Sequence, residues 1–303
     1  MFSLGRGAAC CNQVVAMCLR ILMSATSGLL SLAVTAGTVV GGEVKPVELQ
    51  IEALTSIPGR DRSWDWWQAR TAFVPAAEDR KPMWITTMSE TGRQGVHNFH
   101  DIYQSVSLDG GENWSAPEVI PVLKRARQAD GYEVCAGDFW PTFHAGSGKV
   151  IATGKTFNFE GGTRENRRRE KVSYAVMNPG DGSWGPLRFL KMPDKDHGGH
   201  VIMAANAGNT QRVDLSNGEI LLPVRYMADP GKFNYTSIVV RCRFDGERLI
   251  YLEHGTELNI PRDRGLYEPS LTRHGEWFYL TLRADHSGFV TRSRDGLDFE
   301  PIR

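Results

Sequence analysis

The sequence predicts an all-β protein built from repeated small sheets, the pattern of a β-propeller. After residue 43, short runs rich in β-branched and aromatic residues alternate with turns, without a long amphipathic helix. The runs group into four units that end near residues 114, 184, 244 and 299, and a repeat of this length with about four strands is typical of propeller blades. The chain has 303 residues, which is long for an ordinary domain but not for this class of fold.

Each unit contains several runs that predict strands. The first unit extends from Thr71 to Pro117, the second from Phe139 to Leu190, the third from Gln211 to Glu253, and the fourth from Leu266 to the end. The predicted strands are residues 83–88 and 101–108 in the first unit, 149–157 and 171–177 in the second, 219–227, 236–244 and 248–254 in the third, and 268–274, 276–283 and 288–294 in the fourth.

The units end in a shared turn motif. Residues 107–114, Ser-Leu-Asp-Gly-Gly-Glu-Asn-Trp, fit the pattern S-x-D-x-G-x-x-W without a mismatch, and residues 293–299 form a variant one residue shorter. Residues 181–184 and 244–246 carry partial copies. The Asp accepts hydrogen bonds from its own turn, the Gly supplies a positive φ, and the aromatic ring packs between sheets. The motif therefore predicts a structural role rather than contact with a ligand.

The turn pattern is the Asp-box, and the first and fourth units resemble sialidases (exo-α-sialidases, or neuraminidases). In that family a Glu opens a strand, an Arg ends the next strand and an Asp-box follows, as Glu268, Arg283 and residues 295–299 do here. The family also opens its first strand with an R-I-P motif, which residues 70–73 match in the Arg alone. The resemblance extends over residues 65–303 as a blade pattern.

The resemblance implies a six-bladed ring. We therefore expect residues 43–303 to form part of a sialidase-like propeller, with about two C-terminal blades missing from this chain. Residues 47–54, Val-Glu-Leu-Gln-Ile-Glu-Ala-Leu, are the candidate strand that closes the last blade.

The resemblance also implies a carboxylate clamp. Guanidinium groups grip a carboxylate through paired, planar hydrogen bonds, and sialidases use three arginines for this purpose. Arg70 and Arg283 match two of them, and the third would come from a later blade, as would the family's nucleophilic Tyr. Glu268 would accept the proton of that Tyr. The alternative for Glu268 is a loop carboxylate paired with Arg264 or Arg273.

The family's general acid is an Asp in a loop of the first blade, and Asp101 is the nearest match. His97 and His100 depart from the family pattern, and either could transfer a proton near neutral pH. Two further residues are candidates for substrate binding. Trp140 could stack on a sugar face or pack in the core, and Arg225 ends a strand of the third unit as Arg283 does in the fourth.

Two other polar segments are assigned no chemistry. Residues 195–200, Lys-Asp-His-Gly-Gly-His, place two histidines three residues apart, but a metal site needs further ligands that the sequence does not identify. We therefore expect neither a metal nor a cofactor. Residues 167–169 are three arginines between Glu165 and Glu170, and this segment is interpreted as a solvated loop.

Residues 1–36 predict a secretory signal peptide. An apolar stretch, residues 21–40, follows Arg20, and Val34 and Ala36 are small residues suited to cleavage after Ala36. We expect a secreted or periplasmic protein without stable membrane insertion after cleavage, and the alternative is an uncleaved N-terminal anchor. Cys135 and Cys242 are the two cysteines outside this segment, too few for a disulfide framework.

Charge and resemblance together predict the function. The 35 basic and 35 acidic residues balance, so nothing indicates a nucleic-acid partner. The expected function is a secreted glycoside hydrolase, similar to exo-α-sialidases, that releases terminal acidic sugars from glycans. One alternative is a propeller glycosidase or lyase that acts on another acidic polysaccharide, with His97 or His100 transferring the proton. The other is a propeller that binds carbohydrate without catalysis, since one fold supports many functions.

Overall fold

The computed structural model describes Ile57 and residues 64–92, 98–164 and 168–302. These ranges form four antiparallel sheets that follow one another along the chain, and their one helical element is a 3-10 turn at Pro121–Leu123. None of their helices has the length and apolar character needed to span a membrane. The predicted signal peptide and the predicted closing strand, residues 47–54, lie outside the described residues.

The first two sheets lie between Trp64 and Phe189. The first has the order β1-β2-β3-β4, with β1 at Trp64–Val74, β2 at Met83–Gly92, β3 at Phe99–Ser107 and β4 at Glu118–Val119. The second has the order β10-β9-β7-β6-β5, with β8 also paired to β7. Its strands are β5 at Ala126–Arg127, β6 at Glu133–His144, β7 at Lys149–Glu160, β8 at Thr163–Arg164, β9 at Val172–Met177 and β10 at Arg188–Phe189.

The third and fourth sheets lie between Met203 and Ser293. The third has the order β11-β13-β14-β15, with β12 also paired to β13. Its strands are β11 at Met203–Asn206, β12 at Val213–Asp214, β13 at Glu219–Met227, β14 at Tyr235–Phe244 and β15 at Leu249–His254. The fourth has the order β16-β17-β18, with β16 at Tyr267–His274, β17 at Trp277–Arg283 and β18 at Gly288–Ser293.

Apolar side chains join each sheet to the next. Phe139 of the second sheet packs with Ile102 of the first, and Ile151 of the second packs with Leu222 of the third. Leu221, on the opposite face of β13, packs with Leu280 of the fourth sheet. Neighbouring sheets therefore pack face to face, as the blades of a propeller do. Burial of these apolar side chains between the sheets favours the folded state.

The four Asp-Gly turns at the blade ends share one geometry. Their glycines Gly110, Gly182, Gly246 and Gly296 all have a positive φ, between 72° and 100°. In the first turn, the Asp109 carboxylate accepts a hydrogen bond from the Asn113 amide at 2.9 Å. In the fourth, Asp295 accepts bonds from the amides of Leu297 and Asp298, both at 2.9 Å. These carboxylates satisfy backbone donors of their own turns and lie away from the cavity described below.

The structure confirms the all-β prediction and gives a four-blade propeller arrangement. The prediction of six blades, with C-terminal blades missing from this chain, stays a prediction. Three blades begin earlier than expected, at Trp64 instead of Thr71, near Glu133 instead of Phe139 and at Met203 instead of Gln211. The reason is a β-bulge in the early strand of each of these blades, which breaks the alternation by which a strand is detected in a sequence.

The two cysteines within the described ranges are free. Cys135 and Cys242 are both buried and form no disulfide. Burial raises the pKa of each thiol to about 12. Both side chains therefore act as small apolar core residues, in the second and third blades respectively.

Candidate functional site

All four blades contribute to one cavity of about 520 Å³. Its lining among the described residues is mostly polar. The lining consists of Trp67, Gln68, Arg70, Phe99, Asp138, Lys155, Phe157, Arg164, Asn206, Asn209, Arg225, Tyr235, Arg264, Glu268 and Arg283. Six of these side chains are cationic and two are anionic, so the cavity is electropositive although the chain as a whole is neutral.

A repeated backbone irregularity shapes the cavity. In each blade, the strand that borders it has a bulge, and one non-glycine residue inside that bulge has a left-handed φ of 50° to 57°. The four residues are Gln68, Asp138, Ala204 and Glu268. Such a conformation costs about 1–3 kcal/mol at each residue and persists only where its surroundings fix it. The bulge redirects the side chains around it, and Gln68, Asp138 and Glu268 all line the cavity.

Arg70 is positioned by contacts on two sides. Its Nη1 donates to the Ala69 carbonyl at 2.9 Å and its Nη2 to Asn209 Oδ1 at 3.2 Å. Its Cζ lies 4.9 Å from the centroid of the Trp140 ring. Its Nε is buried and has no hydrogen-bond partner in the described part of the chain. Burial lowers the pKa of Arg70, although the charges of Asp138 and Glu268 oppose this effect.

Arg225 is anchored by a buried carboxylate. Its Nη2 donates to Glu170 Oε2 at 2.7 Å, and its Cζ lies 3.8 Å from the centroid of the Tyr235 ring. Glu170 also accepts bonds from Asn206 at 2.7 Å and from Arg164 at 3.2 Å. Arg225 Nη1 is buried without a hydrogen-bond partner in the described ranges. Glu170 directly follows the predicted solvated loop at residues 167–169, but its own side chain is only 2% exposed.

Glu268 and Arg283 form an ion pair at the fourth blade. Arg283 Nη1 donates to Glu268 Oε2 at 2.8 Å, and this bond together with the Glu268 charge raises the pKa of Arg283. The alternative pairing of Glu268 with Arg264 or Arg273 is not the one observed. Arg264 Nε instead donates to Asp285 Oδ1 at 2.7 Å.

A second acid-base pair faces the cavity from the second blade. Asp138 is 1% exposed, and its carboxylate forms an ion pair with Lys155 of β7. The amide of Asp138 donates to Gln68 Oε1 at 3.1 Å, so the bulges of the first and second blades are joined directly. The Tyr235 hydroxyl is a further buried group, and it lacks a hydrogen-bond partner among the described residues.

The cavity brings together four of the residues predicted from the sequence. Arg70, Arg225, Glu268 and Arg283 all line it. Trp140 is not one of its lining residues, although its ring supports the Arg70 guanidinium. The roles assigned to these side chains stay predictions.

Neither of the two described candidates for the general acid, Asp101 and His100, lines the cavity. Asp101 does not line the cavity, and its Oδ1 accepts a hydrogen bond from the Arg125 amide at 2.9 Å. His100 packs edge to face against Trp64, with ring centroids 4.8 Å apart. Burial, together with the charge of Arg125, lowers the pKa of His100. His97 lies outside the described residues.

Sequence analysis did not assign several lining residues to a binding site. They are Trp67, Gln68, Phe99, Lys155, Phe157, Arg164, Asn206, Asn209, Tyr235 and Arg264. Phe157 and Tyr235 lie on strands whose alternation gave no reason to separate them from core residues. The polar residues at the bulges carry a weak signal, since they interrupt apolar runs next to a blade start.

The comparison with solved structures finds sialidases among the proteins whose fold is similar to that of this chain. A Trypanosoma rangeli sialidase matches with a TM-score of 0.57 and 17% identity, covering 82% of this chain and 38% of that chain. The Hadza microbial sialidase Hz136 matches with a TM-score of 0.55 and 13% identity, covering 78% and 45%. A Dyadobacter fermentans protein of unknown function matches with a TM-score of 0.53 and 14% identity, covering 82% and 71%.

These similarities establish the fold. No protein-family model and no curated protein sequence matches the chain. At identities of 13–17%, the structural matches support a sialidase-like β-propeller fold. They do not show that this chain has the activity of the matched proteins. The chain spans less than half the length of the two sialidases, at 38% and 45%.

Proposed function

We propose that this sialidase-like propeller binds the carboxylate of a terminal acidic sugar, as part of a secreted glycoside hydrolase similar to exo-α-sialidases. The observation that carries the proposal is that the guanidinium groups of Arg70 and Arg225 line one electropositive cavity. Arg70 Nε and Arg225 Nη1 have no hydrogen-bond partner in the described part of the chain. Guanidinium groups bind carboxylates through paired, charge-assisted hydrogen bonds, so a ligand carboxylate in this cavity would have donors from both arginines in its lining.

The aromatic rings beneath these arginines support a preformed site. Trp140 lies under Arg70 and Tyr235 under Arg225, so each guanidinium plane is held in place without a ligand. Arg283 would contribute a third cation, which Glu268 holds at the rim. A preformed clamp loses less conformational entropy when a ligand binds, which favours affinity for a small sugar.

Glu268 would be the carboxylate that takes part in proton transfer. It lines the cavity, and its Oε2 is bonded to Arg283. In a sialidase-type reaction, a carboxylate at this place would accept the proton of a nucleophilic tyrosine. The Trypanosoma rangeli sialidase has been solved in complex with sialic acid and with the inhibitor DANA, which supports a sialic-acid-type sugar as the first ligand to test.

One observation favours a second candidate, a propeller that binds acidic glycans without hydrolysing them. Neither Asp101 nor His100 lines the cavity, and the amide of Arg125 already occupies Asp101 Oδ1. A general acid must reach the leaving group directly or through one water molecule. Binding and hydrolysis therefore have to be measured separately.

The test measures sialic acid binding by titration calorimetry and release of the fluorophore from a fluorogenic α-sialoside. The variant is Arg283→Met and the matched control is Arg294→Met. Both arginine side chains are similarly exposed, at 58% and 59%, and each pairs with one Glu of the fourth blade, Glu268 or Glu276. Arg294 belongs to a blade-end turn and does not line the cavity.

We expect the wild-type chain to bind sialic acid and Arg283→Met to bind it about 10-fold to 150-fold more weakly, the equivalent of about 1.5–3 kcal/mol for a charged hydrogen bond. Arg294→Met should bind as the wild type does. Fluorophore release would support the hydrolase, and binding without release would support the second candidate. Absence of binding by the folded protein, or equal weakening in the two variants, would overturn the carboxylate clamp.

A further inference from the structure

A second group of polar side chains lies away from the carboxylate clamp, at the edge of the third blade. His197 belongs to the connection between the second and third blades, His254 ends β15, and Glu257 belongs to the connection between the third and fourth blades. Each offers one nitrogen or oxygen atom, and these three atoms lie within 4.8 Å of one another. The cluster includes one of the two histidines noted in residues 195–200, together with two partners more than fifty residues away in the sequence.

One carboxylate oxygen is the centre of the cluster. Glu257 Oε1 lies 3.1 Å from His197 Nδ1 and 3.1 Å from His254 Nε2. The two imidazole rings are stacked, with centroids 4.1 Å apart and planes inclined by 15°. The backbone amide of His197 also donates to Glu257 Oε1, at 3.0 Å. The donor atoms of all three side chains therefore converge on one small volume, although they come from separate segments.

His254 is held in place by a hydrogen bond on its other nitrogen. Its Nδ1 lies 2.6 Å from the Tyr251 hydroxyl, and its side chain is only 2% exposed. Its Nε2 faces Glu257, and this atom would coordinate a metal when the ring proton lies on Nδ1 and is donated to the Tyr251 hydroxyl. This arrangement, in which one imidazole nitrogen binds an outer partner and the other is left to coordinate, is the usual one for metal-bound histidines.

We propose that His197, His254 and Glu257 bind a divalent transition metal ion of the Zn²⁺ type. Two imidazole nitrogens and one carboxylate oxygen form a donor set that zinc uses when it keeps a fourth position open. Ca²⁺ and Mg²⁺ are disfavoured, because they prefer oxygen ligands and the trio supplies only one carboxylate.

A neighbouring cavity leaves room for a fourth ligand. Glu257 lines a cavity of about 570 Å³, together with Asp196, His200 and Tyr226. Asp196 already accepts bonds from the Tyr226 hydroxyl, at 2.6 Å, and from the His200 amide, at 2.8 Å. His200 thus pairs with Asp196 and not with His197, so the fourth position on the metal is assigned to water.

The metal would join two connections that are distant in the sequence. Bonds from His197 on one side, and from His254 and Glu257 on the other, would link the entry to the third blade with its exit. Because binding to the folded chain alone adds to folding stability, the expected role is a structural clip at this edge of the propeller.

The test uses the chain after treatment with a chelator, with any polyhistidine tag removed, and titrates it with ZnCl₂ by calorimetry. Co²⁺ is used in parallel, because its visible absorption reports coordination by nitrogen and oxygen ligands. The variants are His197→Ala and Glu257→Gln, and the matched control is His200→Ala. The side chains of His197 and His200 are equally accessible, at 63% and 64%, so neither alanine variant removes a buried group.

We expect the wild type to bind one Zn²⁺ and to melt at a higher temperature when zinc is present. His197→Ala and Glu257→Gln should bind zinc about tenfold or more weakly, as is typical when a metal site loses a supporting group. His200→Ala should bind as the wild type does. Absence of stoichiometric binding, or an equal loss in His200→Ala, would overturn the proposal, and melting curves without metal establish that each variant is folded. No outcome depends on sialic acid binding, so this proposal and the proposed function can fail separately.

Discussion

Glu170 is the buried residue whose replacement tests the cavity most directly. Its carboxylate accepts hydrogen bonds from Arg225, Asn206 and Arg164, which belong to the second and third blades. Glu170→Gln keeps the size and shape of the side chain but removes its charge. The variant would leave the buried Arg225 guanidinium without its counter-ion, so we predict a less stable protein in which Arg225 is no longer held in its orientation.

The expected loss in the free energy of unfolding is large because the ion pair of Glu170 and Arg225 is buried. Removing one partner of a buried ion pair costs about 3–5 kcal/mol, since the remaining charge stays out of water. A glutamine oxygen still accepts one hydrogen bond, which places the Glu170→Gln cost near the lower limit, at about 3 kcal/mol. The matched control is Glu276→Gln, whose side chain is 86% exposed and pairs with Arg294. Its cost should stay below about 1 kcal/mol, because exposed ion pairs are weak.

The stability difference should also depend on pH. Burial alone would raise the pKa of Glu170, but the charges of Arg225, Lys155 and Arg164 and the bond from Asn206 outweigh it and lower that pKa. A carboxyl group with a lowered pKa in the folded state stabilises the fold above its unfolded pKa of about 4.3. This contribution is lost as the pH falls through the lower folded pKa, where wild type and Glu170→Gln should become more alike.

The assay is urea unfolding followed by tryptophan fluorescence, at about pH 7 and again below the unfolded pKa of about 4.3. A cost for Glu170→Gln no greater than that for Glu276→Gln at neutral pH would refute the argument. A difference that grew with acidification would contradict the sign of the pKa shift. Sialic acid binding by the variant, measured where the protein is folded, reports separately whether Arg225 needs its anchor to bind a carboxylate.

Two further predictions concern the blades themselves. Arg212, whose side chain is 1% exposed, donates to the Ile151 carbonyl of the second blade and to Asp214 of the third. Arg212→Met should therefore lower the free energy of unfolding by about 3–5 kcal/mol, as measured by urea unfolding. Arg188→Met, at a more exposed link between the same blades, should cost less than about 1 kcal/mol, and equal costs would refute the role of burial. Cys135 and Cys242, with pKa values raised to about 12, should resist alkylation in native buffer and react in denaturant, as peptide mass spectrometry would show; rapid native labelling would contradict their burial.

Much of the fold could be predicted because its longer strands are runs rich in apolar and β-branched residues, separated by turns. The runs at residues 219–227 and 236–244, for example, form β13 and β14 almost residue for residue. Their apolar side chains face both neighbouring blades, and the turns between strands carry Asp, Asn and Gly in the expected positions. Local patterns of this kind depend on backbone geometry, which one sequence specifies well.

The site was predicted only in part, because its residues meet through long-range packing. Arg70 and Arg283 could be found from the resemblance, since each has a fixed place in a blade. Glu170 could not, because its burial depends on Arg225, a residue 55 positions later in the chain. The cluster of His197 with His254 and Glu257 could not be predicted for the same reason, because its members lie on both sides of a whole blade.

The bulges explain why different polar side chains line the cavity at matching positions of the blades. A regular blade would place residues of the same kind around the cavity, but each bulge turns one residue into a left-handed conformation and redirects its side chain. The matching positions are occupied by Gln68, Asp138, Ala204 and Glu268. The same bulge therefore places an amide, a methyl group and two carboxylates at equivalent positions of the four blades. The bond from the Asp138 amide to Gln68 fixes two of the bulges against each other. Strain that costs about 1–3 kcal/mol per residue is thus held by contacts between blades, and it keeps the cavity in place before any ligand arrives.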